Sequence, residues 1–296
     1  MIAVDWGTSS LRAYRLNDAS GAILDQRGNA RGILACDGDF AGVLAELLDG
    51  WPDATVLLSG MIGSRNGWIE QPYLPCPATL DDAAAAMQRH VDARLPGRTL
   101  WFVPGVAVAD GDRTPDVMRG EETQLFGLDT PADGTGLLAC LPGTHCKWAH
   151  LDDGAITGFS TAMTGEMFAL LREHSLLGRL MDAGNQTLVD GAFAEGVARS
   201  GEPGGLLHHL FGVRALGLFE RLDSAAGPSY LSGLLLGHEI RGLAADARRV
   251  VLIGNAALAQ RYQRALALLG IDASQAVETL AATGAYRVAR ARGLAP

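Results

Sequence analysis

A chain of 296 residues is long enough for two domains with real cores, and 48% apolar with 19% charged residues is a globular composition. The net charge of −9 argues against nucleic acid or an anionic membrane as partner, although local basic groups can still receive a small anionic substrate. Cys36, Cys76, Cys140 and Cys146 form no Cys-x-x-Cys pair, so neither zinc nor a disulfide framework is indicated and a reducing cytoplasm is expected.

The first 28 residues predict three short strands, with turns at Gly7-Thr8 and at 18–21 and no leader ahead of the first strand. Phe40, Val43, Leu44, Leu47 and Leu48 repeat at helical spacing. Thr55 to Leu58 predicts a buried strand ending at Ser59-Gly60. A Pro-rich loop (71–77) leads to a predicted helix over 79–93 and a strand over 99–103. A helix near 119–128 precedes a second strand pair at 138–151. Helices follow near 164–173, 187–199, 205–222 and 229–246, then a strand at 249–253, a helix at 256–269 and a last helix near 278–292. No apolar run is long enough to span a bilayer. Strands first, then alternating helices and strands, predict an α/β protein. The turn-rich stretch 129–136 is the expected boundary between a domain over 1–130 and a domain over 131–296, with the last helix packing back on the first.

One motif occurs twice. In IAVDWGTSSLRAYRL (2–16) and LLACLPGTHCKWAHL (from 137), an apolar strand runs into a Gly-Thr turn and then into a second apolar strand. Such a turn points backbone N–H groups into its bend, which suits phosphate oxygens. Gly7, Thr8 and Ser9 are the candidate phosphate binders of the first copy, and Gly143, Thr144, His145 and Lys147 those of the second. Asp5 ends the first strand, where open α/β sheets place ligands, and its carboxylate can hold Mg²⁺ through water. The second copy has Leu141 there, so the turn itself does not require the acid. Read alone, the first copy is better taken as a plain hairpin turn, and only the second copy shifts the balance; there Lys147 is equally a solvated strand residue and His145 a turn histidine.

Three further segments carry polar groups suited to a site. MRGEETQLFG (118–127) places Glu121 and Glu122 at a helix start, where the dipole favours acids but where a carboxylate can also take a proton from an attacking hydroxyl. SGMIGSRNGW (59–68) sets Ser64, Arg65 and Trp68 in a Gly-rich loop. Arg65 could hold a substrate carboxylate through two parallel hydrogen bonds, with Arg119 the second candidate, or be an ordinary surface arginine. LIGNAAL (252–258) ends a strand at Gly254, Asn255 and Ala256, where a helix N-terminus suits a nucleotide, or is a common strand–turn–helix unit.

In order along the chain, DWGTSSLRAYRL, SGMIGSRNGW, MRGEETQLFG, LPGTHCKW, TAMTGEMFALL, LSGLLLG and ATGAYRVAR resemble the actin, sugar kinase and Hsp70 superfamily. Within it they resemble the 2-dehydro-3-deoxygalactonokinase family over almost the whole chain. The resemblance implies a two-domain actin-like (ribonuclease H-like) α/β fold with a cleft between the domains. It also implies ATP and Mg²⁺ as cofactors and transfer of the γ-phosphate to the 6-hydroxyl of 2-dehydro-3-deoxy-D-galactonate. Many sugar kinases of the superfamily use an Asp base near the second loop; here the Glu121-Glu122 pair stands in the corresponding region. An exopolyphosphatase-like phosphohydrolase and a non-catalytic sugar-acid sensor are the competing readings. The expected partners are the sugar acid and ATP, with no nucleic acid and no membrane; a homodimer is compatible with the sequence but not specified by it.

Overall fold

A computed structural model describes residues 1–109, 114–130, 135–182 and 187–296. The chain divides into two compact units. The first contains Met1–Leu137, Ala149–Phe159 and Val277–Pro296; the second contains Leu138–Trp148 and Ser160–Ala276. The crossing lies at Leu137, at the end of the turn-rich stretch, of which residues 131–134 lie outside the described residues.

In the first unit the elements are β1 (Ile2–Trp6), β2 (Leu11–Leu16), β3 (Ile23–Asn29), α1 (Phe40–Leu47), β4 (Thr55–Gly60), β5 (Tyr73–Pro75), α2 (Leu80–Ala86), β6 (Gln88–His90), β7 (Thr99–Phe102), β8 (Gly105–Val108), β9 (Asp116–Met118) and α3 (Glu121–Phe126). One sheet has the order β3-β2-β1-β4-β7-β6, and a small one has the order β5-β8-β9. β1 pairs antiparallel with β2 and parallel with β4, which puts Asp5 between Arg12 and Ser59 at the sheet's end. Being flanked on both sides, β1 is nearly all apolar and buried: Ile2, Ala3, Val4 and Trp6 are each 2% exposed or less. Val43, Leu44 and Leu48 of the α1 segment, with Val56, Leu58, Leu100 and Phe102, complete this core.

The helix expected over 79–93 is shorter. Thr79 and Asp82 form a capping box that starts α2, but the helix stops at Ala86 and Gln88–His90 turn into an edge strand antiparallel to β7. Sheet pairing outweighed the helical bias of the alanine run. The strands β5, β8 and β9 are too short to show a period in the sequence.

The next elements are β10 (Leu137–Leu141), β11 (Cys146–Asp152), β12 (Ala155–Ala162), α4 (Thr164–Glu173), α5 (Asp190–Arg199), α6 (Gly205–Leu218), α7 (Gly227–Leu243), β13 (Arg249–Leu252), α8 (Ala256–Leu268) and β14 (Asp272–Gln275); the second unit takes β10 from Leu138, β11 as far as Trp148, β12 from Ser160, and all that follows to Ala276. Its sheet order is β12-β11-β10-β13-β14, with β13 parallel to both neighbours. Cys140, Trp148, Phe193, Ile240, Leu252, Tyr262 and Leu266 fill its core. Glu239 is buried there and accepts from Trp148 Nε1 at 2.7 Å and from the Tyr262 hydroxyl at 3.0 Å. The last helix, α9 (Leu280–Ala291), belongs to the first unit. Among the described residues no helix is long and apolar enough to cross a membrane.

Candidate active site

The first Gly-Thr turn, the candidate phosphate loop, is a tight bend. Gly7 N donates to Ser10 O at 2.9 Å, and Ile33 N donates to Gly7 O at 3.0 Å. The chain at 32–34 lies directly against the loop: a Cβ on Gly32 would stand 2.2 Å from Thr8 O. Thr8 and Ser9 are exposed and Gly7 partly so, which leaves the loop's outer face available.

Beside this loop stands an acidic pair. Asp5 at the end of β1 is half-buried. Burial raises its pKa to about 6, against the pull of Arg12, and the Glu121 carboxylate adds to the rise. The approach is close because two glycines meet there. Gly60 (φ +93°) and Gly120 (φ +105°) adopt conformations that disfavour a side chain, and a Cβ on Gly120 would lie 3.1 Å from Gly60 Cα and 3.8 Å from Asp5 Oδ1. Neither glycine was singled out in the sequence; their positive φ values are visible only once the strand end and the helix start are brought together.

The two glutamates differ sharply. Glu121 is half-exposed, and its Oε2 accepts from Arg119 N at 3.0 Å. Glu122 is fully buried. Its Oε2 accepts from Gly120 N at 2.6 Å and its Oε1 from the Thr123 hydroxyl at 3.0 Å. Burial, reinforced by the Glu121 charge, raises the Glu122 pKa to about 8, although these hydrogen bonds oppose the rise. At neutral pH Glu122 is mostly the neutral acid. Helix α9 braces α3 from behind. A Cβ on Gly284 would overlap Thr123 O, and Arg287 Nη1 donates to Phe126 O at 3.2 Å and Leu128 O at 2.8 Å, closing the α3 C-terminus.

The loop 59–77 distributes its polar groups unevenly. Ser64 is buried and its hydroxyl closes the turn on Met61 O at 2.7 Å. Arg65 is 85% exposed, with Nε 3.5 Å from Glu70 Oε1. Trp68 packs inward, stacked on Phe40 at 6.3 Å and edge-on to Phe102 at 6.0 Å. Arg119, by contrast, is buried next to this loop, donating from Nη2 to Gln71 O at 2.8 Å and lying 4.3 Å above the Tyr73 ring.

In the second unit, Gly143 to His145 form the second loop. Its neighbour is the start of α4: Glu166 N donates to Thr144 O at 3.0 Å, and a Cβ on Gly165 would stand 2.3 Å from Gly143 O. His145 Nε2 lies 2.5 Å from Glu166 Oε2. Lys147 is buried and its Nζ donates to the Thr161 hydroxyl at 2.7 Å. The α8 N-terminus is adjacent, since a Cβ on Gly254 (φ +136°) would lie 3.6 Å from Pro142 O. Asn255 is its N-cap, accepting from Ala257 N at 3.0 Å and Leu258 N at 3.4 Å, while Ala256 is exposed. Gly165 and Glu166 went unassigned in the sequence although TGEM was part of the recognised pattern. Beneath this loop the buried Cys140 and Cys146 sulfurs are 3.5 Å apart, and burial raises both thiol pKa values.

The chain as a whole is similar to known proteins. A family model described as 2-keto-3-deoxy-galactonokinase matches residues 5–288. The chain belongs to this family. A Rhizobium meliloti (strain 1021) protein assigned as a 2-dehydro-3-deoxygalactonokinase is 36% identical, covering 99% of this chain and 97% of its own. The 2-dehydro-3-deoxygalactonokinase of Escherichia coli (strain K12) is 35% identical over 92% of this chain and 90% of its own. A Sinorhizobium meliloti crystal structure assigned to the same activity superposes with a TM-score of 0.88 at 35% identity, covering 98% of both chains. The α/β fold of two actin-like units is thus that of the 2-keto-3-deoxy-galactonokinase family.

Proposed function

We propose that the protein transfers the γ-phosphate of ATP to the 6-hydroxyl of 2-dehydro-3-deoxy-D-galactonate. The observation that carries this reading is the pairing of Asp5 with Glu121 across the Gly60–Gly120 contact, beside an open phosphate loop. Phosphoryl transfer asks a protein mainly for positioning and charge stabilisation. Glu121, half-exposed and oriented by the Arg119 amide, is the group that takes the hydroxyl proton. Glu122 is buried and bonded to Gly120 N and Thr123, and it fixes the turn that presents Glu121. Family membership supports ATP as the donor.

The residues also suit magnesium. Asp5 offers hard oxygen donors next to a second carboxylate. With Asp5 as its ligand, Mg²⁺ would neutralise phosphate charge. In the first unit the amides of Thr8 and Ser9 take phosphate oxygens, and Gly7 holds the bend closed through its bond to Ser10 O. Within the second unit, Gly143, Thr144 and His145, with Gly254, Asn255 and Ala256 at the α8 start, are the candidate nucleotide binders. Lys147 supports the loop through Thr161.

The test is product analysis by ³¹P NMR with ATP, Mg²⁺ and a panel of 2-keto-3-deoxy sugar acids. The expected result is a phosphomonoester and ADP formed together, only when the sugar acid is present. ADP with inorganic phosphate and no ester would refute the kinase reading in favour of a phosphohydrolase.

A further inference from the structure

We propose that Arg119, with Gln71, is the receptor that selects a hydroxylated carboxylate, an assignment that rests on the kinase reading above. Arg119 is 7% exposed. A guanidinium stays charged at any working pH, and a buried charge is costly unless paired. Nη2 donates to the Gln71 carbonyl, but Nε and Nη1 are buried with no hydrogen-bond partner. The Glu121 carboxylate accepts from the Arg119 backbone amide.

The surroundings hold that group in place for something else. The plane lies over the Tyr73 ring at 4.3 Å. Gly63 faces Nη1 without a side chain, and a Cβ there would stand 3.2 Å from it. A second orphan lies alongside. Gln71 is 1% exposed, its Nε2 donates to Ile69 O at 3.2 Å, and its Oε1 has no partner. Unspent donors on a fixed cation and an unspent acceptor on the neighbouring residue together complement an anion that carries a hydroxyl. Two buried orphans of opposite kind on contacting residues are uncommon in folded proteins. The receptor is also two residues from Glu121, so binding the anion places the substrate by the group that takes its proton. Arg65, 85% exposed and near Glu70, has none of these properties.

The experiment compares Arg119→Met with the unmodified protein and with Arg65→Ala. Steady-state kinetics use 2-dehydro-3-deoxy-D-galactonate and its neutral carboxamide, and thermal melts are run with and without the acid. Losing a charge-assisted contact is expected to raise KM for the acid about ten- to a hundredfold and to abolish the preference for acid over amide. The substrate-induced rise in Tm should vanish, while the Tm of the unliganded variant holds or increases, because an unpaired buried charge has been removed. Arg65→Ala should change KM by less than about threefold. If Arg119→Met does not fold, Arg119→Lys, which keeps the charge but not the planar donors, must lose the same preference. An Arg119 variant with normal KM and intact preference overturns the assignment, as does an unliganded Tm that falls by several degrees. A protein that phosphorylates no sugar acid at all would instead remove the kinase reading, and this assignment with it.

Discussion

Glu122→Gln isolates the physical role of the buried acid. The folded state raises the Glu122 pKa from 4.5 to about 8, with burial as the main cause. Between those values the folded protein binds a proton that the unfolded chain releases. Stability is therefore fully present below pH 4.5 and is lost as pH rises toward 8. At about 1.4 kcal/mol per pH unit, the interval from pH 6 to pH 8 costs up to about 2.5 kcal/mol. Asp5 contributes with the same sign but only below its own value of about 6, so this interval reports on Glu122. Glutamine keeps an acceptor for Gly120 N and a polar partner for Thr123, and it cannot titrate. At 2–4 °C per kcal/mol for a unit of this size, the Tm of the unmodified protein should fall about 5–10 °C from pH 6 to pH 8 relative to the variant. Melts by circular dichroism at matched ionic strength measure the difference. Parallel Tm–pH curves for the two proteins would show that Glu122 titrates normally and would refute the burial argument.

Asp5→Asn should lower kcat strongly while the fold survives, with the loss not recovered by raising Mg²⁺; a normal kcat across a magnesium titration would remove the metal role assigned to Asp5. Gly165→Ala places a methyl 2.3 Å from Gly143 O, so the second loop must shift. A stability loss of about 1–3 kcal/mol and a raised KM for ATP are expected, and unchanged values of both would show that the loop is not held by α4.

Much of the candidate site's local structure was readable because its parts are local. Both Gly-Thr turns, the Asp5/Leu141 asymmetry, the Glu pair at a helix start and the Asn255 cap are short-range patterns with a direct physical meaning. What could not be read depends on distant partners. Trp68 sits in a polar loop, yet its ring is claimed by Phe40 and Phe102 from other elements. Glu121 and Glu122 are neighbours in sequence, but one is half-exposed and the other fully buried, a difference set by packing that the sequence does not show. The contrast between Arg65 and Arg119 has the same origin: each follows or precedes glycines, and only packing against Gln71 and Tyr73 separates a surface cation from a buried one. The 88–90 strand was hidden by the alanine run before it, since its pairing partner β7 begins nine residues later.

The central claim is that Glu121, set beside Asp5, is the base of a phosphoryl transfer to a sugar acid. The most direct measurement is kcat for Glu121→Gln, with substrate affinity followed in parallel by thermal shift. General-base assistance is typically worth on the order of 10²–10⁴ in rate, so kcat should fall by that factor while the sugar acid still raises Tm. A near-normal kcat in a variant that still binds the acid would contradict the account.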